Sequence, residues 1–304
     1  YAFNRTIVFM TTTGEEQGLF GANAFAEYCE QEDIDLVGVF NNDIVGGIIC
    51  GSTASPPGCP GLNAIDSINV RIYSQGSTGS IHKGLARYLK LEYEENIADR
   101  SIIQAKINIM TPEDRSGRVG DHIPLRQRGF AAVRTTSANE HGNGNPSTPD
   151  YHDRQHTSED RIGEDTDSDG QLDHFFVDFN GNAIASLACS PIPPQGLSLT
   201  KGENYIAVEI EDENDAVTYR LGLRALGNND FDTLYTVNAK LDTIRGLPTA
   251  IYNFSVCSVD EEGIESLFTR EQRFIFTTNT DDLVPEQPQI ELLQNHPNPF
   301  DEAT

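Results

Sequence analysis

The chain has 304 residues, and its 21 Lys and Arg against 47 Asp and Glu give a formal net charge of −26. At about 150 residues per domain the length predicts two domains, with room for a tail. The charge excludes DNA, RNA or an anionic membrane as the main partner, because phosphate binding needs clusters of Lys and Arg. Hydrophobic residues make up 37% of the chain, low but enough for a core. No apolar run approaches the roughly 18 residues of a membrane-spanning helix.

In chain order, Arg5 to Thr13 reads as a buried strand, with Ile7, Val8, Phe9 and Met10 in one run. Gly14 to Gly18 is a turn. Leu19, Ala22, Ala26 and Cys29 recur at three and four, which predicts a helix over Leu19 to Gln31. Strands are expected at Asp35 to Ile44, Ile68 to Tyr73, Lys106 to Met110 and Phe130 to Thr135. Ser80 is placed to cap a helix carrying Ile81, Leu85, Tyr88 and Leu89. Asp178 to Cys189 closes this region as a further helix. Strands alternating with helices predict an α/β domain over a mostly parallel mixed sheet, residues 1–190.

Pro191, Pro193 and Pro194 then form a stiff linker. Tyr205 to Glu211, Val217 to Leu223, Thr233 to Asn238 and Tyr252 to Val259 read as short strands, so residues 195–279 predict an all-β, immunoglobulin-like sandwich. Residues 280–304 are an acidic, proline-containing linker and tail, too short to fold alone. Five cysteines form no close zinc-type pairs. Cys50 and Cys59 bracket a Pro/Gly loop and are either disulfide-bonded in an oxidising compartment or two small buried hydrophobes. The chain begins at Tyr1 without a visible signal peptide, and we read it as a fragment or processed piece.

Three segments carry candidate chemistry. In Thr13-Gly14-Glu15-Glu16-Gln17-Gly18-Leu19-Phe20-Gly21, two adjacent glutamates sit on a glycine-flanked turn between an apolar run and a helix. One carboxylate can bind a metal while its neighbour holds a water; the alternative is a solvated helix start, where Glu is favoured by the dipole. In Phe40-Asn41-Asn42-Asp43, an aspartate closes an apolar strand, at the edge where α/β enzymes place function. Paired with Glu16 it is a hard-oxygen metal ligand, and by itself it caps a turn. In Pro149-Asp150-Tyr151-His152-Asp153-Arg154-Gln155-His156-Thr157-Ser158-Glu159-Asp160, two histidines precede the last helix and offer imidazole nitrogen to zinc; the alternative is ordinary surface histidines.

Taken in order, Gly-Glu-Glu-Gln-Gly-Leu-Phe-Gly, Asn-Asn-Asp-Ile-Val-Gly, Gly-Asp-His-Ile-Pro-Leu and His-Thr-Ser-Glu-Asp resemble the secreted di-zinc aminopeptidases. Their metallopeptidase family also includes glutaminyl cyclases and transferrin-receptor-like proteins. The resemblance runs over Arg5 to Ala188 and implies zinc-dependent hydrolysis of N-terminal peptide bonds in peptide or protein substrates. It implies that Glu15 is the general base on the attacking water, that Glu16 and Asp43 are ligands of two different zincs, and that His156 shares a zinc with Glu16. His152 rivals His156 for that role. Asp121 and His122 are implied to be support residues near the pocket. The family's first histidine ligand and its bridging aspartate lie before the Glu-Glu motif. Tyr1 to Gly14 hold no His, Asp or Glu, so the chain as given is expected to be incomplete for activity, with two zincs in the full-length protein.

Asp165, Asp167, Asp169 and Asp173, with Gly170, fit a short calcium loop of the kind found in extracellular proteins; the alternative is a solvated acidic loop. Tyr252 to Ser266 resembles the late strand and turn of a fibronectin type III module, whose default role is a spacer. Leu292 to Phe300 resembles the start of the sorting domain of the type IX secretion system, which implies a secreted or cell-surface protein handled by that machinery. Two alternatives stand beside the aminopeptidase: a glutaminyl cyclase-like enzyme, and a non-catalytic calcium-binding surface or adhesion protein.

Overall fold

A computed structural model describes residues 3–45, 50, 57–61, 64, 66–101, 104–114, 118–137, 176–214, 216 and 218–277. The first part is a layered α/β unit. Its elements are α1 (Phe20–Gln31), β1 (Val39–Asn42), β2 (Asn69–Tyr73), α2 (Ile81–Asn96), a 3-10 turn (Ala98–Arg100), β3 (Lys106–Ile109), α3 (His122–Gln127), β4 (Ala132–Thr136) and α4 (Phe176–Cys189). The sheet order is β1-β4-β2-β3. β1 runs parallel to β4 and β2 to β3, while the central β2–β4 pair is antiparallel. The sheet is therefore mixed.

Strand period two splits the sheet into unlike faces. Val70, Ile72, Ile107, Ile109 and Val133 point to one side and form a core with Leu85, Ala86 and Leu89 of α2 and Ala183 of α4. Arg71 and Arg134 occupy the alternate positions and are fully buried on the opposite face, where α3 packs against β1 and β4. Ser80 caps α2 as expected, its Oγ accepting from Lys83 N at 3.1 Å.

The expected strand over Arg5 to Thr13 is not formed. No described strand pairs with it. Its start is tied instead to the end of α4, with Asn4 N and Arg5 N donating to Ala188 O at 2.8 and 3.0 Å. Val8, Phe9 and Met10 are exposed. An apolar run becomes a strand only where a neighbouring ladder takes its backbone groups. The other expected elements differ from those observed mainly at their ends. Asp35 to Ile44 shrinks to the four residues of β1, and the helix expected at Asp178 begins at Phe176.

The second part holds two antiparallel sheets. Strands β5 (Gly196–Lys201), β6 (Tyr205–Glu211) and β9 (Leu241–Arg245) form one in the order β5-β6-β9. Strands β7 (Thr218–Ala225), β8 (Thr233–Val237), β10 (Ala250–Val259) and β11 (Gln272–Phe276) form the other in the order β11-β10-β7-β8. Their inner faces enclose a core that includes Ile206, Val208, Tyr219, Leu221, Phe254 and Val256.

The outer face of the second sheet is also buried, against α2. Along β7, Tyr219, Leu221 and Leu223 enter the sandwich core, while Arg220 and Arg224 alternate outward. Glu271 bonds both Arg224 and Arg87 of α2, the latter at 3.0 Å, and all three side chains are almost fully enclosed. Arg220 joins Glu95 of α2 to Glu265. Arg87 stacks over the Phe231 ring at 5.5 Å. Gly222 makes room for that ring, since a Cβ there would lie 2.4 Å from it. Asn229 Nδ2 donates to Ile109 O, at the end of β3, at 3.1 Å. A spacer held only by its linker would show none of this.

Removing one partner of a buried ion pair strands the others, at a cost of about 3–5 kcal/mol. Glu271→Ala is therefore expected to lower the free energy of urea unfolding by about that amount and the midpoint with it, and an unchanged midpoint would mean that the two parts fold independently. A second prediction concerns His82 on α2, whose Nδ1 accepts from Ala132 N at 3.2 Å. Burial, with Arg126 and Lys83 adding, pushes it down to about 4 from the ordinary 6.5. Between those values the unfolded chain binds the extra proton, so stability falls as pH falls, by at most about 1.4 kcal/mol per pH unit. His82→Gln keeps an acceptor and removes the titration, so the slope of stability against pH in this window should drop by about one proton.

Candidate active site

The Glu-Glu turn is wound tightly. Glu15 O accepts from Gly18 N and Leu19 N at 3.0 and 2.9 Å, Gly14 O from Phe20 N at 3.1 Å, and Thr13 O from Gly21 N at 2.9 Å. A Cβ on Gly21 would come within 2.8 Å of Thr13 backbone atoms, so glycine is what lets α1 start this close. Leu19 is held left-handed, at φ 59°.

Asp43 stands one residue past β1, its N donating to Thr135 O at 3.3 Å. The next residue, Ile44, is a β-branched side chain at φ 59°, a conformation such residues avoid. Ser137 holds it there, donating to Ile44 O from N at 2.9 Å and from Oγ at 3.1 Å.

The β1–β4 register pairs Asn41 with Arg134, and period two then places Asp43 on the same face. The Arg134 guanidinium bridges two carboxylates. Its Nη1 donates to Asp114 Oδ1 and Oδ2 at 2.6 and 2.7 Å, and its Nη2 lies 3.0 Å from Asp43 Oδ2. Asp121, just before α3, accepts from Thr12 Oγ1. His122 is fully enclosed, and burial pushes its imidazole down, with Arg134 adding and Asp114 opposing.

These groups form one electrostatic unit. Burial pushes the Glu15 carboxyl up, and Asp43, Glu16 and Asp121 push it further, with Arg134 opposing. Three of the sequence-predicted residues, Glu15, Glu16 and Asp43, are thus brought together with Asp121. Mutually repelling carboxylates are the donor chemistry of a divalent cation site, so the residues present fit one in kind. Among the described residues, however, no three His, Cys, Asp or Glu close around a single point. The nitrogen donors expected at His156 or His152, and the calcium loop of Asp165, Asp167, Asp169 and Asp173, lie outside the described residues.

Sequence reasoning did not single out Arg134, Asp114 or Thr12. The available signal was Arg134 itself, a lone charge inside Ala-Ala-Val-Arg-Thr-Thr, where a charged side chain is buried only with partners. The expected choice at Cys50 and Cys59 resolves in favour of the disulfide.

Carboxylates gathered near the end of a strand in a mixed sheet are compatible with metal-assisted chemistry. The family model of peptidase family M28 matches residues 1–176, more than half of the chain. The chain belongs to that family of zinc metallopeptidases. A probable zinc metalloprotease of Phaeosphaeria nodorum is 29% identical over 148 residues, covering 46% of this chain and 29% of its own length. One from Pyricularia oryzae is 30% identical over 141 residues, covering 44% of this chain and 28% of its own. The chain thus spans less than a third of the length of these curated relatives. Among solved structures, an Fn3-like protein from Clostridium thermocellum covers 28% of this chain and 91% of its own, at 23% identity and a TM-score of 0.25. The fn3 domain of human collagen alpha-1(XX) covers 29% and 86%, at 20% identity and a TM-score of 0.25.

The raised Glu15 carboxyl has a stability signature. Its charge is disfavoured in the fold, so its contribution to stability is lost as pH rises through the folded-state value. In the metal-free chain Glu15→Gln should raise the thermal midpoint at neutral pH. It should leave the midpoint unchanged below about pH 4, where the carboxyl is protonated in both states. A lowered midpoint at neutral pH would contradict the repulsion described above.

Proposed function

We propose that this chain is part of a secreted or cell-surface zinc aminopeptidase, with Glu15 as the general base. The observation that carries the reading is the convergence of Glu15 with Glu16, Asp43 and Asp121. Glu16 and Asp43 would hold zinc, with His156 as the nitrogen donor and two ions in the full-length protein. Zinc, when bound, supplies Lewis acidity toward the scissile carbonyl and acidifies water. Glu15 takes the proton from the attacking water and hands it to the leaving amine, a task suited to a carboxyl raised by burial. The excess of carboxylates attracts the free α-amine of a peptide and so selects its N-terminus.

In the same reading, the sandwich is a fibronectin type III-like module and residues 280–304 begin a type IX sorting domain. Asp165, Asp167, Asp169 and Asp173 bind calcium.

The test is zinc per chain by elemental analysis of the full-length protein, alongside release of free amino acids by it from unblocked and N-acetylated peptides. Glu15→Gln should cut turnover by about 10²–10⁴-fold while zinc stays bound. Loss of zinc in that variant would remove Glu15 from the role of base. Equal cleavage of acetylated peptides would refute the aminopeptidase assignment while leaving a peptidase.

A further inference from the structure

We propose that Arg134, itself anchored by Asp114, is the positioning residue of this site and fixes the Asp43 carboxylate. The inference rests on the reading of Asp43 as a zinc ligand. Arg134 sits mid-strand on β4, next to β1, with its side chain 1% exposed. Asp114, itself almost fully enclosed, takes one guanidinium nitrogen with both carboxylate oxygens. That contact alone would neutralise a buried guanidinium. The other nitrogen nevertheless reaches Asp43, which is 31% exposed and stands at the rim. The planar fork thus joins a buried anchor to a carboxylate at the site, an arrangement a lysine's single ammonium cannot reproduce.

The backbone supports the same geometry. Asp43 N is bonded to Thr135 O on the strand that carries Arg134. The carboxylate is therefore held from both its main chain and its side chain by β4. Arg134 also opposes the mutual repulsion on Glu15, so it keeps the cluster together while leaving it net negative. Partners that orient a ligand in this way are worth about 10–100-fold in metal affinity.

The alternative is that Arg134 merely competes with a cation for Asp43, and the two readings predict opposite signs. Zinc affinity would be measured by competition with a chromogenic chelator on the whole chain. Arg134→Lys and Asp114→Asn should each weaken zinc by about 10–100-fold. In an Asp43→Asn background, Arg134→Lys should cost nothing further, because its effect passes through Asp43. Should the single variants fold poorly, Arg134→Leu with Asp114→Leu replaces the buried pair by apolar side chains, a change that folds tolerate. This double variant should show the same loss of affinity with secondary structure intact.

Unchanged or tightened zinc binding in these variants would overturn the proposal, as would an equal loss in the Asp43→Asn background. A full-length wild-type protein that binds no zinc would instead defeat the zinc reading of the site, and the positioning role with it.

Discussion

A guanidinium buried on a central strand is the constraint around which the α/β part is arranged. An ion of that size costs several kcal/mol to remove from water unless carboxylates meet it with good geometry. Arg134 sits where no solvent reaches. The chain after β3 must therefore bring Asp114 back beneath the sheet, and the exit of β1 must deliver Asp43 to the same fork. The apolar face of the sheet needs only helices of suitable size to cover it. The charged face dictates loop paths, and those paths gather the carboxylates of the site where β1 ends.

The same solution recurs at the second packing surface. Glu271 lies between Arg87 and Arg224, both enclosed. Buried pairs of this kind contribute little net stability over apolar residues, but they penalise every misaligned arrangement. Helix α2 is thereby fixed on two sides, by the sheet core and by the sandwich. Its first turns hold the carboxyl ends of β2 and β3, with Lys83 Nζ donating to Ser74 O at 2.7 Å and also to Met110 O. The sandwich so becomes a brace for the α/β half.

Much of the fold was legible because its signals are local. Three-and-four spacing marked α1, Ser80 marked the start of α2, and the alternation of Tyr252, Phe254 and Val256 marked β10. The strands that escaped notice lack such alternation: β5 buries only Leu197, β9 only Ile244 and β11 only Phe276. Helix α3 is six residues long with Pro124 inside it, too short for a helical period. Arg5 to Thr13 misled because its apolar run reports what the segment could bury rather than what lies beside it. In the site, Glu15, Glu16 and Asp43 were readable from strand-end and turn context. Arg134 with Asp114, and Arg87 with Glu271, were not, since pairs 20 and 184 residues apart leave no periodic trace.

The carboxylates near the end of β1 are placed by strained backbone. Leu19 and Ile44 are both non-glycine residues in the left-handed region, each costing of order 1–3 kcal/mol. One closes the turn that carries Glu15 and Glu16, and the other follows Asp43 directly. Each is over-determined by hydrogen bonds, from the Gly14–Gly21 winding in one case and from Ser137 in the other. The fold itself thus keeps these carboxylates near one another. Burial and that proximity together push the Glu15 carboxyl up.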